Sequence, residues 1–169
     1  DHDLAISHVF RGDEWISSTP KHLLLYQSLG WQPPAFLHLP PILGPNKKKL
    51  SKREGAKSVM EYLKEGYLPE ALINFLAFLG WAPKGDRELF TLDDLCQEFS
   101  IDRINKNSPI FNLEKLNWFN KKYLQKIEAQ ELANRLKSFS KNTPKVNSQQ
   151  LVKIIELVRD RMSQLTDFD

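Results

Sequence analysis

Cysteine is almost missing: Cys96 is the single one in 169 residues. One thiol cannot build a disulfide framework or a cysteine-rich zinc site, and it fits a reducing, intracellular compartment. The four histidines (His2, His8, His22 and His38) lack metal-ligand spacing and read as surface or loosely packed residues. Long apolar runs are absent too. The longest, residues 71–79, falls far short of the roughly 20 residues that a membrane helix needs. No internal repeat stands out, and the first residues show no signal-peptide pattern. There is no initiator Met either: Asp1-His2-Asp3 runs straight into an apolar alternation. The chain therefore reads as a piece of something longer, or as a protein whose front half is absent.

What is present is ordinary for a folded chain, with 41% hydrophobic and 27% charged residues. Against 21 acidic residues stand 24 Lys and Arg, a net charge of +3 that is compatible with nucleic acid without requiring it. The positive charge is uneven. Lys47-Lys48-Lys49-Leu50-Ser51-Lys52-Arg53 holds five cations in seven residues, which cannot be buried and must form an exposed loop. Its density of N–H and O–H donors suits a polyanion such as a triphosphate. Leu50, the lone apolar member, reads as an anchor that aims the flanking lysines. By itself such a run is more often a solvated surface, and in some proteins a targeting signal or a nucleic-acid patch, than a phosphate-binding loop.

The pattern predicts a strand over 4–10, broken by Arg11-Gly12-Asp13. A helix starts at Ser18-Thr19-Pro20 and stops at Gly30, and a second strand covers 35–39. Strand, helix and strand of these lengths make a crossover unit, hence a parallel pair. After the basic loop the pattern is helical. Helices are expected at 58–64, 69–79 with Gly80 as its stop, and 92–99 behind a Thr91 capping box. Three more follow at 113–126 behind Asn112, at 128–139, and at 149–165 beyond a polar linker at 140–148. Leu72, Ile73, Phe75, Leu76, Phe78 and Leu79 are assigned to the core, as are Trp81, Trp118 and Phe119.

The order of five separated motifs is more specific than any one of them. Arg11-Gly12-Asp13-Glu14-Trp15, then Ser18-Thr19-Pro20, then Lys49-Leu50-Ser51-Lys52-Arg53, then Gly66-Tyr67-Leu68-Pro69-Glu70, then Asn112-Leu113-Glu114-Lys115-Leu116-Asn117-Trp118 closely resembles the glutamyl-tRNA synthetases, class I enzymes of bacteria and organelles. The resemblance is strongest from His8 to about Trp118. The family's His-x-Gly-His signature is not in this sequence, which is why a fragment is expected.

The resemblance implies a mostly α chain in three parts. Residues 1–44 would be the C-terminal remnant of a Rossmann-type α/β nucleotide-binding fold. Residues 45–126 would carry the KMSKS-type loop and a helical stem-contact region, and 127–169 would begin a helical anticodon-binding domain. It implies ATP-dependent activation of L-glutamate to glutamyl-adenylate and transfer to the 3′ end of tRNA(Glu), with tRNA(Gln) as a further candidate. Lys49, Ser51, Lys52 and Arg53 would be the catalytic loop, with Lys52 first among the phosphate contacts. Arg11 would grip glutamate; on residues alone it also reads as a surface arginine at the sheet edge. Glu14 and Trp15 would meet ATP, although Trp15 reads equally as core packing. Lys121, Lys122 and Lys126 would meet tRNA phosphates, or form a solvated helix face. ATP would come with Mg2+, and no protein-bound metal is expected from this segment. DNA and membrane partners are not expected. The expected location is the cytoplasm, bacterial ahead of organellar. An isolated fragment is expected to be inactive. The alternative is a non-catalytic tRNA-binding module derived from the same fold.

Overall fold

The computed structural model describes residues 1–51, 53, 55–139 and 146–168. Lys52, the foremost phosphate contact expected from sequence, and most of the 140–148 linker lie outside the described residues.

Two strands, β1 (His8–Gly12) and β2 (Ala35–Leu39), pair in parallel, with His8 opposite Ala35 and Arg11 opposite His38. A short 3-10 turn (Asp13–Ser18) and helix α1 (Thr19–Ser28) connect them. The crossover expected from the sequence is therefore present, with β2 on its expected residues. The first strand is shifted: residues 4–7 lie outside it, whereas Arg11 and Gly12 belong to it and do not break it. Alternation from Leu4 to Phe10 suggests the earlier start, but the parallel register with β2 begins at His8, and before it only the Ser7 carbonyl reaches β2, accepting the Ala35 N–H at 2.9 Å. Pro20 sits in the first turn of α1, and Gly30, at φ +69°, follows its end. Ser18 does not cap that helix with its side chain; its Oγ donates to the Trp15 carbonyl at 3.0 Å.

The remainder is helical: α2 (Val59–Lys64), α3 (Pro69–Gly80), α4 (Leu92–Glu98), α5 (Leu113–Lys126), α6 (Ala129–Phe139) and α7 (Ser148–Val158). Local caps fix several starts. Thr91 and Asp94 form a reciprocal capping box at α4, and Asn112 Oδ1 accepts the Lys115 N–H at 3.0 Å to open α5. At the end of α2, Gly66 donates to the Leu63 carbonyl and Tyr67 to that of Tyr62, each at 3.1 Å, a Schellman arrangement with Gly66 left-handed at φ +90°.

Three expectations need correction. Gly80 is the last residue of α3 and has no positive φ; the helix ends because Trp81 turns extended and bridges to Ile104. Ile73 and Leu76 lie largely exposed, each at 41%, and Phe78 is half-buried. The inward face of α3 is instead Ala71, Leu72, Asn74, Phe75 and Leu79. Helix α7 stops at Val158, not near 165. Met162 and Leu165 are nevertheless buried, delivered by two 3-10 turns (Arg159–Arg161 and Leu165–Phe168).

One continuous core joins α2, α3, α5, α6, α7 and the C-terminal turns around Phe75, Leu116, Phe119, Leu132 and Ile155. Phe119 and Trp81 are buried as expected, and Trp118 is half-buried. No residue of 1–40 is buried. Among the described residues no helix is long and apolar enough to cross a membrane.

Candidate functional site

Arg11 lies near the carboxyl end of β1, the end at which open parallel sheets hold their ligands. Strand alternation and register put its side chain on the face shared with His38 of β2 and covered by α1. Its guanidinium meets His38 Nε2 at 3.1 Å, His22 Nδ1 at 3.0 Å and Thr19 Oγ1 at 2.6 Å. It also lies over the Phe36 ring, 4.6 Å from the centroid, and 5.9 Å from that of Trp15. A cavity of about 250 Å³ borders this cluster, lined by Arg11, His22, Tyr26 and Phe36 among others.

The 3-10 turn after β1 carries Glu14 and Trp15, both exposed, with Trp15 at 49%. Trp15 joins neither apolar cluster of the described residues and lies beside a cation. Gly12 makes room for Glu14, whose carboxylate folds back over the strand end; a Cβ on Gly12 would collide with that carboxylate where it now lies. Arg11 and Trp15 are thus brought together, with Glu14 against the same strand end.

Beyond β2 the chain folds into a tight turn. Gly44 donates to the Lys48 carbonyl and Leu50 to that of Ile42, both at 2.8 Å, so Leu43 bridges to Lys49. Lys47 takes a left-handed φ of +61°, and Asn46 Oδ1 receives the Lys48 N–H at 3.0 Å. Leu43 is pinned from its other side by Pro109 and Phe111. Leu50 is half-buried and lies against Gly44, so it anchors the loop as the sequence suggested. Lys47, Lys48, Lys49, Ser51 and Arg53 are exposed, and among the described residues no carboxylate is bridged to these four cations. Lys57, just past the loop, differs. Its ammonium meets Glu65 at 2.6 Å, and that hydrogen bond holds it above the ordinary lysine range.

The three lysines of α5 are not equivalent. Lys126 is exposed, whereas Lys121 and Lys122 are half-buried. The neighbouring Lys115 is occupied elsewhere, 2.6 Å from Glu88 and 4.1 Å above the Trp118 ring. Sequence reading missed Thr19, His22 and His38. From sequence the histidines read as surface or loosely packed residues, although the parallel register of the crossover pairs residue 11 with 38.

Comparison with known proteins covers most of the chain. The family model described as tRNA synthetases class I (E and Q), catalytic domain, matches residues 1–118. The glutamate–tRNA ligase of Dehalococcoides mccartyi is 44% identical over 173 residues, covering 99% of this chain and 36% of that protein. That of Protochlamydia amoebophila is 46% identical over 169 residues, covering 99% of this chain and 33% of its own length. A crystal structure of a glutamate tRNA ligase from Elizabethkingia meningosepticum in complex with its amino acid superposes with a TM-score of 0.90 at 36% identity, covering 99% of this chain and 37% of that one. The chain thus spans about a third of the length of these relatives. With the match extending through β1, α1, β2, the basic loop and the helices up to Trp118, the chain belongs to the catalytic-domain family of the class I tRNA synthetases of the E and Q type.

Proposed function

We propose that these residues contribute the second part of the active site of a glutamate–tRNA ligase, together with its first tRNA-facing helices. In this reading residues 1–44 close a Rossmann-type nucleotide-binding fold, 45–126 form the catalytic loop and stem-contact region, and 127–169 begin an anticodon-binding domain. The observation that carries the reading is a guanidinium held at the carboxyl end of a parallel strand beside an exposed tryptophan.

The reaction brings two anions together. The glutamate carboxylate attacks the α-phosphorus of ATP, the bond to the bridging oxygen breaks, and pyrophosphate leaves with growing negative charge. Arg11 holds a carboxylate of glutamate, for which a planar fork is suited. Trp15 offers a flat face to adenine, and Glu14 accepts from a ribose hydroxyl or the adenine amine. Lys49, Ser51, Lys52 and Arg53 direct donors at the leaving pyrophosphate. Donors placed where charge develops lower the barrier more than they tighten the ground state. Mg2+ enters with ATP as part of the substrate complex. Gly44 and Gly55 flank the loop and let it close over ATP and reopen. Lys121, Lys122 and Lys126 meet phosphates of tRNA(Glu), with tRNA(Gln) the second candidate substrate. The bacterial relatives and the single thiol favour the bacterial cytoplasm.

The test is glutamate-dependent ATP–pyrophosphate exchange with tRNA present. In a full-length enzyme containing these residues, Lys52→Ala should lower the exchange rate by about a hundredfold, the order found on removing one transition-state donor. The 169-residue chain by itself should give no exchange. An unchanged rate in the Lys52→Ala enzyme, or exchange by the chain alone, would overturn the reading.

A further inference from the structure

The contacts of Arg11 carry more than a substrate assignment. An arginine has five N–H donors and no acceptor, so every polar neighbour within reach must accept from it. Three of the five are engaged here: Nε with His38 Nε2, one terminal nitrogen with His22 Nδ1, the other with Thr19 Oγ1. The two imidazoles must therefore present bare nitrogens, with the ring proton on Nδ1 of His38 and on Nε2 of His22. Thr19, having accepted from Arg11, has one hydroxyl proton left, with the Trp15 carbonyl at 3.0 Å and the bare Nε2 of His38 at 3.1 Å as its two acceptors. One N–H on each terminal nitrogen of Arg11 stays open for a ligand.

The chemistry of these partners matters. A carboxylate in place of either histidine would neutralise the guanidinium and compete with any carboxylate ligand. Imidazole and hydroxyl acceptors hold the side chain still and leave its positive charge unspent. The partners come from α1 and β2, so the crossover that pairs the strands also fixes the fork, and Phe36 beneath it blocks a collapse onto the sheet. Holding a flexible side chain in its bound geometry removes an ordering cost from ligand binding.

We propose that His38 and His22, with Thr19, are positioning residues that act through Arg11 as uncharged hydrogen-bond acceptors and set the affinity for the amino-acid substrate. The proposal rests on the reading that Arg11 binds glutamate. It makes the acceptor atom, and not merely the bulk of each ring, the property that counts. Glutamine can place an amide oxygen near the position of Nε2, and asparagine near that of Nδ1, so each histidine has its own conservative replacement.

The experiment measures steady-state KM for glutamate and for ATP in a full-length enzyme containing these residues. His38→Phe keeps a ring and removes the acceptor. It should raise the glutamate KM about tenfold, since a hydrogen bond to a charged donor is lost, while leaving the ATP KM within about twofold. His38→Gln should return the glutamate KM to within about threefold of the parent. His22→Phe and His22→Asn should behave as the same pair. Parental glutamate KM in both phenylalanine variants, or amide variants no better than the phenylalanine ones, overturns the proposal. If His38→Phe does not fold, the His22 pair decides the matter alone. Arg11→Lys is measured alongside. An unchanged glutamate KM there sinks the glutamate reading itself; a raised one with unaffected histidine variants sinks only the positioning role.

Discussion

Asn120 is fully buried, and both ends of its amide are committed to distant backbone. Its Oδ1 accepts the Leu68 N–H at 2.8 Å, and its Nδ2 donates to the Ser163 carbonyl at 2.5 Å. One side chain thus ties the start of α3 to the segment after α7. Asn120→Leu would keep the branched shape and leave the buried Leu68 N–H and the part-buried Ser163 carbonyl without this partner. It should cost about 2–5 kcal/mol, read as a lower urea midpoint with an unchanged m-value. Asn112 shows the contrast in legibility. Its capping role was readable because a cap acts on the N–H three residues ahead, a distance within the sequence window. The partners of Asn120 lie 52 and 43 residues away, so nothing local marked it. The same holds for Asn74, whose Oδ1 receives the Phe90 N–H and the Tyr123 hydroxyl. It holds for His38 and His22 as well: the crossover was legible, but the inward turn of both rings onto one arginine needed the register.

Elements were readable where apolar spacing and capping agreed. Helices α2, α5 and α6 fall within a residue of their expected bounds, because each has a local start signal or a clean apolar stripe. Helix α7 misled because Met162 and Leu165 continue its spacing. Asp167 fixes the chain beyond the stop. Its carboxylate takes the N–H groups of Ser163 and Gln164 at 2.6 and 3.0 Å, which favours a turn there. That turn docks on the end of α2. The Leu165 N–H reaches the Gly66 carbonyl at 3.0 Å, and Thr166 Oγ1 donates to the Glu65 carbonyl at 3.1 Å. Gly66 was expected as a helix stop, but its second duty is this close approach. A Cβ there would meet the Leu165 nitrogen at 2.8 Å and the Thr166 nitrogen at 2.9 Å, both backbone. Gly66→Ala should therefore exceed the roughly 1–2 kcal/mol of left-handed backbone strain alone, since the docked turn must also move. Thermal unfolding checks this. A shift no larger than that of a Gly85→Ala control, also at positive φ but with open space around it, would show that the docking contact is not tight.

At the scale of the whole molecule the chain is lopsided. The continuous core belongs to the helices, while residues 1–40 contain no buried side chain. The strand–helix–strand unit is held by its own parallel pairing and the Arg11 cluster, and it exposes Leu4, Leu24 and Leu25 at 78%, 62% and 59%, with Phe10 and Ile16 also open. Opening that unit would sacrifice little burial, whereas opening α3, α5 or α6 would expose Phe75, Phe119 and Leu132 together. Hydrogen exchange reads this difference, because amides that open without exposing a core exchange at a small fraction of the global unfolding free energy. In the 169-residue chain, amides of β1, α1 and β2 should exchange about a hundredfold or more faster than those of α3 and α5. In a full-length synthetase containing the same residues, β1, α1 and β2 should gain protection while α3 and α5, which already share the continuous core, change little. Equal protection of both groups in the short chain would mean that the parallel pair and the arginine cluster are enough to close this unit, and that its exposed leucines need no cover.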